Sequence, residues 1–169
     1  MTAFGNPLAV LTFFAALGCA LMAGLFFTFS NFVMRALAGL PPDRGIAAMQ
    51  AINKSVLNPL FLGVFSGTGV ACLIGLLLAI VRRHDPGALW LLAGSVLYLA
   101  GVVLVTVVFN VPRNNALAAV DPASDDGVRT WRRYLTEWTA WNHVRTVTAL
   151  AATASLILAF CQLRSAPPP

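Results

Sequence analysis

Residues 60–81 read LFLGVFSGTGVACLIGLLLAIV, an apolar run that contains no charged side chain. The turn RRHDPG, residues 82–87, separates this run from a second one, ALWLLAGSVLYLAGVVLVTVVF, at residues 88–109. Each run has about the 20 residues that a helix needs to cross a hydrocarbon layer about 30 Å thick. Because a backbone in lipid must satisfy its own hydrogen bonds, the stretch predicts two transmembrane helices joined by a short turn.

Two further apolar runs flank this hairpin, and the only charge that lies within either of them is that of Arg145. The chain is 59% hydrophobic and 10% charged, whereas an average soluble domain is about 25% charged. This composition favours a membrane protein over the alternative, a soluble all-helical protein. We therefore predict an all-α fold, with residues 1–169 as one integral membrane domain. The four transmembrane helices of this up-down bundle are expected at about residues 8–29, 60–81, 88–109 and 144–163.

The two long connections, of about 30 residues each, follow the first and the third apolar run. In an up-down bundle both of them emerge on the same side of the membrane. Each contains a stretch in which apolar residues recur at helical spacing, residues 42–56 in the first and 124–141 in the second. The sequence thus predicts two short amphipathic helices in the long loops, both at one mouth of the bundle.

The two halves of the chain, residues 8–81 and 88–163, carry similar signals. Each half has one asparagine just after its first apolar run and another just before its second, and these pairs are Asn31 with Asn110 and Asn58 with Asn142. A duplicated helical hairpin inserted twice in the same direction would explain the pattern. Chance similarity is the competing explanation, because Ala and Leu, which dominate the rest of the match, are common residues.

Polar side chains gather at the ends of the apolar runs on the side of the long loops. Amide, guanidinium and indole groups at that mouth form a candidate substrate-binding set: Asn31, Arg35, Asn53, Asn58, Asn110, Arg113, Asn114, Trp138, Trp141, Asn142 and Arg145. Polar groups at membrane depth are costly unless they pair or line a cavity. The alternative is that the asparagines cap helix ends, the arginines extend to lipid headgroups and the aromatic rings form an interfacial belt.

His143 is the candidate catalytic base, because histidine is the side chain that titrates near neutral pH without perturbation. A hydrogen-bonding or purely structural role is the alternative. On a continuous helix Tyr134, Trp138, Trp141 and Arg145 would share one face, with Glu137 at its edge. His143 would then point the other way, unless the helix starts irregularly at Asn142.

Metal and nucleic-acid sites are not predicted. His84 and His143 fall on opposite sides of the membrane, and no two carboxylates lie close together in an apolar setting, so neither a metal shell nor haem ligation is supported. The net charge of +5 comes from arginines spread over loops and helix ends, which suits contact with lipid headgroups rather than nucleic acid. The expected partners are the lipid bilayer and a hydrophobic small molecule, and the oligomeric state stays open.

A family resemblance is carried by four stretches at the same mouth. They are FFTFSN at 26–31, Asn53 to Pro59, FNVP at 109–112 with Asn114, and Trp138 through WNHVR at 141–145. Together they resemble the anthrone oxygenase-like family, also known as domain of unknown function 1772, a group of small membrane proteins with four helices. The matching residues are Asn31, Asn58, Asn110, Pro112, Asn114, Trp141, Asn142, His143 and Arg145.

The resemblance implies that some relatives oxidise anthrones to anthraquinones with molecular oxygen. It favours a membrane oxidoreductase that acts on an anthrone- or quinol-like substrate, with molecular oxygen as co-substrate. No cofactor is predicted, because an anthrone anion can pass an electron directly to oxygen and does not necessarily need one. The alternative is a non-catalytic membrane protein that binds a lipid or small molecule, or a subunit of a membrane complex. Arg82 and Arg83 in the short turn favour cytoplasmic termini, and a bacterial-type inner membrane is the expected location.

Overall fold

The computed structural model describes residues 6–165, which fold into helices and turns without a strand. The helices are α1 (Pro7–Ala38), α2 (Pro42–Ser55), α3 (Pro59–Val81), α4 (Ala88–Ala118) and α5 (Asp125–Ser165). All except α2 are long and apolar enough to cross a membrane. The chain is thus an integral membrane protein with the four predicted transmembrane helices.

The four long helices form a closed ring in which α1 and α4 each pack against both α3 and α5. Small residues allow the close approach, because Ala149 and Ala152 on α5 are fully buried. At Gly94 on α4, an added Cβ would lie only 2.7 Å from Cγ of Leu156. Large apolar side chains such as Leu21 and Val107 cover the outer surface of the ring and are exposed, as expected for a surface that faces lipid.

Helices α1 and α4 run past the predicted ends at residues 29 and 109. Both continue through π-helical turns, at Phe29–Val33 in α1 and at Leu99–Leu104 and Thr106–Asn110 in α4. A π turn accommodates an additional residue without breaking the helix and is common near functional sites. Asn31 and Asn110 therefore lie inside helices rather than at their ends.

A cap of packed side chains lies over one end of the ring. It joins α2, the last turns of α1 and α4 and the first half of α5 through a buried cluster: Met34, Leu37, Ile46, Met49, Leu117, Trp131, Tyr134 and Trp138. The Gln50 side chain fixes α2 in place, since its Nε2 donates to the carbonyl oxygens of Leu117 (2.8 Å) and Val120 (3.1 Å). Carbonyl groups at a helix end otherwise lack a partner. Both long connections meet here, which confirms that they share one side of the bundle.

The second connection differs from the prediction, because its amphipathic stretch is not a separate short helix. It forms the first half of α5, which continues without a break from Asp125 to Ser165. Residues 128–165 contain neither Gly nor Pro, so nothing in the sequence interrupts the helix. The duplication of residues 8–81 and 88–163 stays a prediction.

Candidate ligand-binding site

A cavity of about 110 Å³ lies between the cap and the membrane helices. One water needs about 10–15 Å³ by a comparable measure, so the space is larger than a hydration site. The described residues that line it are mostly apolar: Leu25, Phe26, Phe29, Met49, Ile52, Asn53, Val56, Leu57, Phe61, Thr106, Val111, Asn114, Trp138, Asn142 and Arg145. Leu57, in the connection between α2 and α3, is 65% exposed and therefore places this wall at the protein surface.

Arg145 is the charged member of this lining and is only 6% exposed. Its NH2 group donates to Oδ1 of Asn142 at 2.6 Å, and its NH1 group donates to Oγ1 of Thr106 at 3.3 Å. The guanidinium also lies over two aromatic rings, 4.4 Å from the ring centre of Phe26 and 5.1 Å from that of Trp138. Within the described part of the chain, no carboxylate pairs with it.

Asn142 orients this arginine and links α5 to α1. It is fully buried, and its Nδ2 donates to the carbonyl oxygen of Phe26 (2.7 Å) and to Oγ of Ser30 (2.6 Å). These two bonds leave Oδ1 facing Arg145, three residues further along the same helix. The amide thus fixes the position of the guanidinium at the cavity wall.

Tyr134 ties three helices together at the cap side of the cavity. Its hydroxyl donates to Oδ1 of Asn114 on α4 at 2.8 Å and accepts a longer bond of 3.4 Å from Nδ2 of Asn53 on α2. Its ring stacks on that of Trp138, with ring centres 5.6 Å apart. Asn110 supports Trp138 from α4, because its Nδ2 donates to the Trp138 carbonyl oxygen at 3.2 Å.

The structure thus brings five of the predicted binding residues to the cavity wall: Asn53, Asn114, Trp138, Asn142 and Arg145. Two more lie close to this group without lining the cavity. Asn110 holds Trp138, and Arg113 pairs with Glu137 at 2.7 Å.

The other predicted residues are not part of the cavity lining. Asn31 and Arg35 are exposed on α1, and Asn58 is exposed at the start of α3. Trp141 stacks against Phe109, with ring centres 3.6 Å apart, and does not line the cavity.

His143 is exposed and is not among the lining residues. The continuous helix explains its position, because an irregular start at Asn142 would be needed to turn it inward. Its role as a base stays a prediction, and the geometry gives that role no support.

The lining face of α5 contains Trp138, Asn142 and Arg145, at steps of four and three residues. The expectation that Trp141 belongs to this face is corrected, since Asn142 takes the inward position. Ser30 and Thr106 also contribute hydrogen bonds, although neither was among the predicted site residues. A hydroxyl in an apolar run equally suits helix packing, so only the helix contacts identify them.

Metal ligation finds no candidate within residues 6–165, where no three His, Cys, Asp or Glu side chains could hold an ion together. The expected lack of a cofactor stays a prediction.

The family model described as anthrone oxygenase matches residues 57–155, more than half of the chain. The chain belongs to the anthrone oxygenase family. This confirms the resemblance, since domain of unknown function 1772 is the same family. The matched range contains α3, α4 and the part of α5 that carries Trp138, Asn142 and Arg145. No curated protein and no solved structure matches the chain with significant similarity.

Proposed function

We propose that this member of the anthrone oxygenase family is a membrane oxidoreductase that oxidises a hydrophobic, anthrone- or quinol-like substrate with molecular oxygen. The observation that carries the proposal is the apolar cavity, whose aromatic walls are formed by Phe26, Phe29 and Trp138. Flat aromatic rings bury large apolar areas against such side chains. Family membership supports an oxygenase-like role.

The reaction balances without an added cofactor. An anthrone loses a proton from the carbon opposite its carbonyl group, and the resulting enolate passes one electron to oxygen. Recombination of the two radicals and uptake of a proton give a hydroperoxide, which loses water to form the second carbonyl of the anthraquinone. Arg145 is the group that would stabilise negative charge on the enolate oxygen, and Asn142, whose Oδ1 accepts a hydrogen bond from Arg145, would hold the guanidinium in place.

Oxygen uptake by the purified protein tests this proposal. With an anthrone as substrate, we expect one anthraquinone to form for each oxygen consumed. Replacing Arg145 with Met should lower the rate by about 100-fold or more, which is the usual effect of removing one oxyanion-stabilising donor.

Arg132→Met is the matched control, because it removes the same charge from an exposed position on the same helix. A protein that binds anthrones in the cavity but consumes no oxygen would instead be a non-catalytic binding protein.

A further inference from the structure

We infer that the cavity binds its ligand as an anion, a planar aromatic phenolate or enolate whose oxygen lies against Arg145. The inference rests on the proposed function and deepens it by naming the form of the substrate that binds. The ligand loses its proton to solvent through its own acidity, and no side chain of the cavity removes it.

The first argument is the charge balance at Arg145. A buried cation without a counter-ion is strongly unfavourable, more so at membrane depth. Glu137, the carboxylate on the same helix two turns earlier, already pairs with Arg113 at 2.7 Å and Arg133 at 2.6 Å. A ligand that brings one negative charge into the cavity would supply the missing counter-ion.

The second argument is the number of unused hydrogen-bond donors. A guanidinium has five N–H donors, and the structure gives that of Arg145 hydrogen bonds to Asn142 and Thr106. Its Nε is buried without a partner, and so is the indole Nε1 of Trp138. Both residues line the cavity. Unpaired donors without matching acceptors favour a ligand that accepts hydrogen bonds, as an oxyanion does.

The third argument is the kind of polar group that lines the cavity. The described lining residues include no Asp, Glu, His, Lys or Cys, and its polar members besides Arg145 are three asparagines and one threonine. Amides and aliphatic hydroxyls do not accept a proton at neutral pH. The Tyr134 hydroxyl, next to the cavity, already donates to Asn114. The ligand must therefore be a weak acid. Its neutral form can enter apolar surroundings, and its ionised form is stabilised beside the cation.

Two opposing effects act on the pKa of a bound phenol, so the direction of its shift tests the inference. An apolar cavity alone raises the pKa of a bound phenol, because burial disfavours the charged form. A cation within about 4–6 Å lowers that pKa by about 1–3 pH units. With Arg145 present, we expect the second effect to prevail. Without it, only the rise remains.

Titration of 2-hydroxyanthraquinone, whose absorption spectrum changes when its phenol ionises, measures this sign directly. The dye is titrated with the full chain in detergent micelles, and protein-free micelles give the reference. We expect the pKa of the bound dye to be about 1–3 pH units below the reference for the unaltered protein and for Arg132→Met. In Arg145→Met it should rise above the reference, whereas Arg145→Lys, which keeps the charge, should retain part of the decrease.

Three outcomes would overturn the inference: an unshifted or raised pKa on the unaltered protein, a decrease that survives in Arg145→Met, or no binding of the dye between pH 5 and 10. The unaltered protein and Arg145→Lys decide the question even if Arg145→Met does not fold.

A long-chain fatty acid, which also carries one negative charge on an apolar molecule, is the second probe. If it displaces the dye at equal concentration, the aromatic ligand class is wrong.

The dye titration separates this inference from the proposed function, because it requires no turnover. A lowered dye pKa in a protein that consumes no oxygen would support anion binding and refute the oxygenase. Anthrone oxidation with an unshifted dye pKa would support the oxygenase and refute anion binding.

Discussion

The two long connections of the bundle resemble each other in sequence but differ in structure. In the first, α2 stops at Ser55 and Asn58 starts the new helix α3. In the second, α5 passes through Asn142 without interruption. The same residue type at the start of an apolar run thus serves once as an exposed helix cap and once as a buried link between helices.

The residue that follows each asparagine explains the difference. Pro59 follows Asn58, and a proline disfavours helical conformation in the residue before it. Asn58 is accordingly extended, with φ −96° and ψ 159°, and its Oδ1 accepts a hydrogen bond from the Phe61 backbone N–H. His143 follows Asn142 and imposes no such restriction.

Both outcomes are needed for the cavity. The break in the first connection places Val56 and Leu57 along the cavity wall. The unbroken second connection keeps Arg145 one helical turn from Asn142, so that the two side chains bond. The comparison therefore predicts that the two asparagines respond very differently to substitution.

Introducing the missing proline into the second connection should have the largest effect. His143→Pro would remove a backbone hydrogen bond inside α5 and should cost about 3 kcal/mol or more of stability. It should also abolish dye binding, because Asn142 and Arg145 would no longer share one helix. Thermal unfolding and dye titration measure both effects, and an unchanged melting temperature would show that α5 tolerates a break at this point.

Removing the Asn142 amide should have the next largest effect. Asn142→Leu loses the bonds to Phe26, Ser30 and Arg145 and should cost about 2–3 kcal/mol, since buried groups are left unpaired. Ser30→Ala, which loses one of these bonds, should cost about 1 kcal/mol. Equal melting temperatures for the two variants would contradict the central role of the amide.

Removing the cap at Asn58 should be milder. Asn58→Ala should lower stability by about 1 kcal/mol, as for other helix caps, and leave dye binding intact. Asn58→Ser should restore most of the loss, because serine also caps helices. If the unfolding transition falls as far as it does in Asn142→Leu, the two asparagines are more alike than the structure indicates.

Replacing the exposed histidine should have the smallest effect. His143→Ala should change stability by less than about 0.5 kcal/mol, and oxygen uptake should persist because His143 does not line the cavity. The hypothesis that His143 is a base predicts the opposite, a loss of turnover in a folded protein. Rate measurements on this variant decide between them.

Much of the fold could be predicted because length and polarity alone define a transmembrane helix. The four runs and the side shared by the long connections are confirmed. The π turns and the joining of the second amphipathic stretch to α5 were not foreseen, since hydropathy does not record which carbonyl a backbone N–H contacts. Pro59 was the visible signal that only the first connection breaks.

The kinds of residue in the candidate site could be predicted from the sequence, but which of them line the cavity could not. Trp138 and Arg145 stand out as large polar-tipped groups at the edge of an apolar run, and both line the cavity. Asn31 and Trp141 also lie next to apolar runs, yet neither lines the cavity, and Trp141 stacks on Phe109 instead. Which face of a helix meets its neighbour depends on packing between segments far apart in the chain, and a single sequence does not contain that register.

The unbroken length of α5 has a geometric consequence. Its 41 residues extend about 62 Å at 1.5 Å per residue, roughly twice the thickness of a hydrocarbon layer. Arg129, Arg132 and Arg133 lie near the outer end of this rod, and Arg145 lies near its middle. One continuous stretch of helix without Gly or Pro therefore joins the outer arginines to the guanidinium at the cavity wall, about 18–24 Å away at 1.5 Å per residue.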